Sequence, residues 1–194
     1  VKQLAGRAGM PMPEEDVQES RSRSRLLEIT RYAARYFYDQ LNAPTPEAAM
    51  ARRYWREKRG LSDAAIRRFG LGYAPEDFVG LLHYLRHRGF TEPELESSGL
   101  VKRSAKGNLY DIFRHRVMVP IIDVRGNIIA FGGRVMDDSK PKYINSPETI
   151  VYHKSRTLFA LNVAKKSTSK RYILCDGYMD VISMHEAGFD TAVC

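Results

Sequence analysis

What the chain lacks narrows its class first. Its 194 residues hold only two cysteines, Cys175 and Cys194, with no CxxC or Cys/His spacing, which excludes a disulfide-stapled scaffold and a zinc site. Both lie in apolar, strand-like runs and are expected to be buried thiols in a reducing compartment. No apolar run is long enough to span a bilayer, and the opening stretch VKQLAGRAGMPMPEED has no apolar signal region. The cytoplasm fits best, with no membrane partner. Acidic residues are scarce in one place only. Residues 101–170 hold 14 Lys and Arg against 5 Asp and Glu, and the remainder 17 against 18, so the net charge of +8 comes from one block. An excess serving solubility alone would be spread evenly. Concentrated charge points to a nucleic acid or nucleotide, the alternative being a solvated basic face without a partner.

The first two dozen residues read as a linker. They combine Pro11, Pro13, the acidic Glu14 to Asp16 and the alternating run from Arg21 to Arg25, with little to bury. A chain that opens this way, without Met or a targeting signal, is expected to be a piece of something longer. From Arg25 to Leu41 the residues Leu26, Ile29, Ala33, Tyr36 and Phe37 recur at helical spacing and mark a core-facing stripe. Thr45 and Pro46 start a second helix, which Gly60 closes after Arg59. Gly89 closes a helix carrying Leu81, Leu82 and Leu85, and Thr91 with Glu94 has the spacing of a capping box.

After Gly99 the period changes. Val117–Ile122 and Ile128–Val135 are rich in β-branched residues and flank a glycine-containing loop, predicting a hairpin. Both strands are apolar on both faces over part of their length, so an interior sheet is expected, with Pro120 at a bulge or an edge position. The breaks in this apolar pattern are Arg, Lys, amides and the pair Gly132–Gly133, an arrangement that fixes cations while letting a polyanion approach the main chain. Lys142 to Asn145 should be extended, with a turn at Ser146–Pro147, and Leu158 to Lys166 helical. Tyr172 to Cys175 then reads as a buried strand, Asp176–Gly177 as a turn, Tyr178 to Glu186 as a helix and Thr191 to Cys194 as another strand. That is a βαβ opening with parallel strands. His185, at helical spacing with Tyr178, Val181 and Ile182, reads as a packed core residue.

An acidic residue at the carboxyl end of a parallel strand occupies the crevice where α/β sheets bind ligands. Asp176 there suits a divalent metal or a proton transfer, or is simply part of a turn. The order of motifs goes further. RVMVPIIDVRGNIIAFGGRV, PKYINSPET and DGYMDVI resemble the catalytic core of bacterial DnaG-type primases, and REKRGLSDAAIRRFGLGYAP resembles its helical entry segment; the likeness runs from about Arg25 to Cys194. The fold it implies is α+β: a helix-rich N-terminal part with a mixed or antiparallel sheet, then the first βαβ of a Rossmann-like Toprim domain. The implied boundaries are 1–24 linker, 25–166 basic subdomain and 167–194 the start of Toprim.

The implied activity is DNA-directed synthesis of RNA primers from ribonucleoside triphosphates on single-stranded DNA, with Mg²⁺ or Mn²⁺. The implied partners are the template, the triphosphates, the RNA–DNA hybrid and the replicative helicase, the last through a region C-terminal to this chain. Zinc is expected only in an upstream module. By the same resemblance Arg59, Arg114, Arg116, Arg134, Lys142, Tyr143, Asn145 and Lys154 fall on template and nucleotide-binding motifs. Arg grips phosphate with parallel bonds, Lys acts as a point charge, and Tyr143 offers a stacking face. Arg59 equally suits the C-terminal end of its own helix. Tyr143 and Asn145 share one face of an extended segment, with Lys142 on the other.

Asp176 aligns with the family's catalytic Toprim Glu and Asp180 with its second acidic residue, either a metal ligand or a helix cap. Asp in place of Glu draws the carboxylate back by about 1.5 Å, which leaves metal binding easier to keep than proton transfer. Further acidic Toprim residues are expected beyond Cys194. Two rival classes remain: a single-stranded DNA holder without chemistry, and another Toprim enzyme such as a topoisomerase or nuclease. The latter should lack the hairpin and PKYINSPET.

Overall fold

The computed structural model describes residues 14–169 and 171–194. Helix α1 spans Glu14–Leu41. The stretch expected to be linker is therefore helical from Glu14 to Ser24, while residues 1–13 lie outside the described residues. No Gly or Pro interrupts Glu14 to Leu41, and Arg, Ser and Glu are tolerated inside helices when tertiary contacts hold them. Arg25 supplies such contacts through Glu28 and Glu94, and Arg23 donates to the Ile150 carbonyl at 2.7 Å. The predicted stripe is the buried one, with Leu26, Ile29, Ala33 and Phe37 inside and Tyr36 half-buried.

Helix α2 (Pro46–Arg53) starts as predicted: the Thr45 hydroxyl accepts from the Ala48 N–H at 3.2 Å and Pro46 fills the first turn. Such a cap contributes about 1 kcal/mol. The helix runs into a π-helical turn, Tyr54–Lys58, before Gly60 reverses the chain at φ +65°. Helix α3 (Asp63–Arg68), strand β1 (Gly72–Ala74), α4 (Gly80–Arg86) and α5 (Glu92–Ser97) follow. The capping box of α5 is present, with the Thr91 N–H donating to Glu94 Oε2 at 2.8 Å. Strands β2 (Val101–Arg103) and β3 (Leu109–Asp111) form a small antiparallel pair.

The central sheet is antiparallel, in the order β1, β4 (Arg116–Ile122), β5 (Ile128–Val135) and β6 (Tyr143–Asn145). The predicted hairpin is thus its interior. Pro120 needs no ladder partner toward β1, because β1 pairs only with Arg116 to Met118, and the register shifts between Ile121 and Ile122. The register also sorts the two faces. Val117, Val119, Arg134 and Tyr143 look toward one core with Tyr54 and Tyr178. Arg116, Met118 and Phe131 look toward the other, with Phe37 and Phe113 from the α1 side.

The Gly132–Gly133 pair does not open the main chain to a polyanion, contrary to expectation. A Cβ on Gly132 would stand 2.8 Å from the Tyr178 ring, and one on Gly133 would stand 2.8 Å from the Phe113 ring. The glycines admit two aromatic rings, one on each face, and so lock the sheet between its cores.

The tail of the chain differs in detail from the reading. Only Leu161–Ala164 (α6) is helical where Leu158 to Lys166 was expected, after Ala160 in the left-handed region and a 3₁₀ turn at Lys154–Arg156. Strands β7 (Ile173–Leu174) and β8 (Ala192–Val193) are parallel, joined by α7 (Tyr178–Glu186), as the βαβ prediction required. The first of them is not a buried strand: Tyr172 is 53% exposed and Leu174 77%. Packing reaches one face only, through Ile173. Cys175 and Cys194 are free and half-buried rather than buried. His185 is a core residue, its Nε2 2.9 Å from the Ala192 carbonyl and its ring set edge-on to Phe69. Among the described residues no helix is long and apolar enough to cross a membrane.

Candidate nucleic-acid interface

Arg116 opens β4 and Arg134 lies near the end of β5, where Val117 stands opposite Arg134 and Val135 opposite Arg116. The two arginines therefore lie on facing strands but on opposite faces of the sheet. Both are buried, at 6% and 7% exposure, where an ionised group is costly unless it is hydrogen-bonded. Arg134 donates from Nε to the Tyr143 hydroxyl at 3.1 Å, and from Nη1 to the Tyr54 hydroxyl and to its neighbour's carbonyl, Val135, at 2.8 Å. Arg116 reaches the Lys142 carbonyl at 3.4 Å. Burial, and then the charge of Arg114, lower its pKa from the ordinary arginine value.

Arg59 joins this group through Tyr54. The π turn closes with the Arg59 N–H on the Tyr54 carbonyl at 3.1 Å, which carries residue 59 back over residue 54; an α-helix would swing it about 140° away. Its Nε donates to the same Tyr54 hydroxyl at 2.9 Å, and the Lys58 ammonium lies 5.7 Å from the ring centre. The Arg59 side chain thus folds back on its own turn and meets there the hydroxyl that Arg134 also bonds.

Tyr143 links the basic sheet to the acidic turn. Its ring meets Tyr178 edge-on at 5.9 Å, and Tyr178 opens α7 two residues after Asp176. Burial raises the Tyr178 phenol well above its ordinary pKa, and its hydroxyl has no hydrogen-bond partner among the described residues. Asp176 and Asp180 are exposed, with an Asp180 carboxylate oxygen 3.7 Å from where a Gly177 Cβ would stand. Among the described residues no group of three His, Cys, Asp or Glu side chains is placed to hold a metal. Two carboxylates fit Mg²⁺ only as a partial shell, completed by water and phosphate oxygens.

The remaining candidates are set apart. Arg114 and Asn145 line a groove of 580 Å³ with Lys102, Tyr110 and Pro147. Arg114 donates to the Asp111 carbonyl and lies 4.5 Å from the Phe78 ring centre. Beside it, burial pushes the Asp111 carboxyl up to about 7, opposed by two bonds from the Leu81 and Leu82 N–H groups that anchor the start of α4. Lys142 is exposed. Lys154 is exposed on its 3₁₀ turn, where its N–H bonds Glu148 at 3.1 Å, and among the described residues no contact ties it to the arginine group. Sequence reasoning missed Tyr54 and Tyr178. The only signal for either was an aromatic residue beside a charged motif, YWREKRG and DGYMD, with nothing to show which way the ring turned.

The arginines divide by what they bond. Arg25, Arg31, Arg35, Arg56, Arg86 and Arg103 each lie within 4.0 Å of a carboxylate. Among the described residues Arg59, Arg114, Arg116 and Arg134 do not, and neither do Arg52 and Arg88 of the helical layer; all six hold tyrosine oxygens, carbonyls or ring faces, but only Arg116 and Arg134 among them are buried. Neutral oxygens satisfy donors without cancelling charge, so each of these side chains keeps its positive charge.

Residues 36–165 match the family described as the DNA primase catalytic core, N-terminal domain. The chain belongs to that family. It is 43% identical over 170 residues to the DNA primase of Clostridium acetobutylicum, covering 87% of this chain and 28% of that protein. The Deinococcus radiodurans DNA primase is 43% identical over 197 residues, covering 100% of this chain and 33% of that one. The structure of the DnaG primase catalytic domain bound to ssDNA superposes with a TM-score of 0.82 at 38% identity, over 90% of this chain and 56% of that one. The α+β class is that of the catalytic core. The chain spans about a third of the length of these curated relatives. Arg59 through Lys154 lie inside the family match, and Asp176 and Asp180 lie past its end.

Proposed function

We propose that this chain is the template- and nucleotide-holding part of a DNA primase that makes RNA primers on single-stranded DNA. The observation that carries the reading is the pair Arg59 and Arg134, without carboxylate partners among the described residues and joined through Tyr54 and Tyr143 to the helix that follows Asp176, with the buried Arg116 on the other face of the same strand pair. Phosphoryl transfer asks a protein chiefly for positioning and positive charge. Arg134 and Arg59 hold a phosphate of template or triphosphate, Tyr143 orders the base or ribose beside it, and Lys142 adds a mobile charge at the rim. Arg114 and Asn145, in their own groove, take a neighbouring stretch of the strand.

Asp176 and Asp180 would hold Mg²⁺ or Mn²⁺, which draws charge from phosphate oxygens when bound. Residues 167–194 then form the start of a Toprim domain, and the replicative helicase and RNA–DNA hybrid are partners of the longer protein, in the bacterial cytoplasm at the replication fork. A partial shell of two carboxylates makes the 194-residue chain a binder and not a polymerase by itself. Incubated with single-stranded template, Mg²⁺ and ribonucleoside triphosphates, it should bind the template and yield no primers. Template-dependent oligoribonucleotides would overturn the second half of that statement, and absence of salt-sensitive template binding would overturn the first.

A further inference from the structure

Two guanidinium groups share one phenol oxygen at the centre of the basic group. Arg59 donates to the Tyr54 hydroxyl from Nε at 2.9 Å, and Arg134 donates to it from Nη1. Both cations also lie near the face of the same ring, with Cζ 5.3 and 5.4 Å from its centre. Tyr54 itself is buried, at 5% exposure. A hydroxyl oxygen has two lone pairs and can accept both bonds, yet it brings no negative charge to offset two positive ones.

The bonds leave a definite part of each arginine unused. Arg134 spends Nε on Tyr143 and Nη1 on Tyr54 and Val135, and its Nη2 bonds no protein atom among the described residues. Arg59 spends only Nε, and both of its terminal nitrogens are likewise uncommitted. None of these nitrogens is among the buried atoms without a partner, so they keep access to solvent. The inner edges are pinned and the outer edges are open, which is the arrangement a phosphate needs to be gripped by two guanidinium groups. A carboxylate accepting the same two bonds would offset one of the two positive charges.

Resting on the template-binding reading above, we propose that Tyr54 is a positioning residue for that site: its hydroxyl sets Arg59 and Arg134 as a pair whose outer nitrogens take one backbone phosphate, or two adjacent ones. The π turn exists in this account to deliver Arg59 to that hydroxyl, and the neutrality of the phenol keeps the pair attractive to a polyanion. Tyr54 does not touch the nucleic acid.

The test is the salt dependence of binding to fluorescein-labelled oligo-dT, measured by anisotropy for the wild-type chain and for Tyr54→Phe, which removes only the oxygen. For single strands the slope of log K against log salt is about −0.7 per neutralised phosphate, so Y54F should flatten it by about 0.7 to 1.4 and weaken binding about tenfold at low salt. A smaller folded fraction lowers amplitude and apparent affinity but leaves the slope alone, which separates positioning from mere destabilisation. In a double-mutant cycle with Arg59→Ala the two losses should be less than additive; full additivity contradicts the proposal. Should Y54F fail to fold by circular dichroism, the Arg59 Nε–H resonance of the wild-type chain decides instead. It should remain protected from solvent exchange when oligo-dT is added, and its release would refute a pinned inner edge. A wild-type chain without salt-sensitive binding sinks both this proposal and the reading beneath it, whereas a Y54F slope equal to wild type sinks only this one.

Discussion

Around the helical layer, exposed arginines clip elements together through carboxylates. Arg25 bridges α1 to Glu94 at 2.7 Å, and Arg103 ties β2 to Glu92 and Glu96 at 3.0 and 2.7 Å. In the sheet, arginines face tyrosines and carbonyls: Arg134 is more deeply buried than any of these and has no acidic partner among the described residues. Stability alone would favour the reverse, since burial makes an unmatched charge more costly and exposure makes a pair nearly worthless. Charge is matched at these two clips and left unmatched at the buried sheet arginines, the positions proposed to hold a polyanion.

The largest expected effect comes from removing the buried charge at constant bulk. Arg134→Met should weaken single-stranded DNA binding more than tenfold, while stability to urea stays within about 1 kcal/mol of wild type or rises, as happens when buried ions are replaced by apolar groups. Equal loss of stability and binding would erase the distinction between the two regions. Lys142→Ala, at the exposed rim, should cost several-fold and act alike on oligonucleotides of different sequence, because a phosphate contact carries little base information. Unchanged affinity at low salt would make Lys142 scaffold.

The paired region should answer to acid instead. Glu94 is held down to about 2, first by its hydrogen bond from Arg25 and further by the Thr91 N–H and hydroxyl. A carboxyl whose folded pKa lies below its unfolded one adds stability above the unfolded value, near 4.5, and loses it as pH falls toward 2. Glu94→Gln should therefore remove up to about 1 kcal/mol of stability at neutral pH, the partly exposed site being screened. The deficit should shrink as pH falls from 4.5 toward 2. A constant deficit across that range would show that the Arg25 clip acts through packing and not charge.

Local chemistry made much of the fold legible. The Thr45–Pro46 start, the Thr91–Glu94 box, the hairpin and the parallel βαβ all appear where the residues put them. Each depends on neighbours within a few positions in sequence, or on a strict period. What was not legible depended on distant contacts. The Arg21–Arg25 run is helical because partners at Glu94 and Ile150 hold it. Leu174 is exposed because packing reaches only one face of its strand. The glycine pair pointed to a polyanion and instead receives the Tyr178 and Phe113 rings. The site followed the same division. Its cations stood out by composition, but the hydroxyl that joins Arg59 to Arg134 comes 80 residues before the latter, and no spacing rule reaches that far.

The most direct test sets one region against the other in a single titration: the salt dependence of oligo-dT binding by Arg116→Gln/Arg134→Gln and by Arg25→Gln/Arg103→Gln. The account predicts a slope flattened by about 0.7 per phosphate lost in the first pair and a wild-type slope in the second. Flattening of equal size in both, or in the second alone, would contradict it.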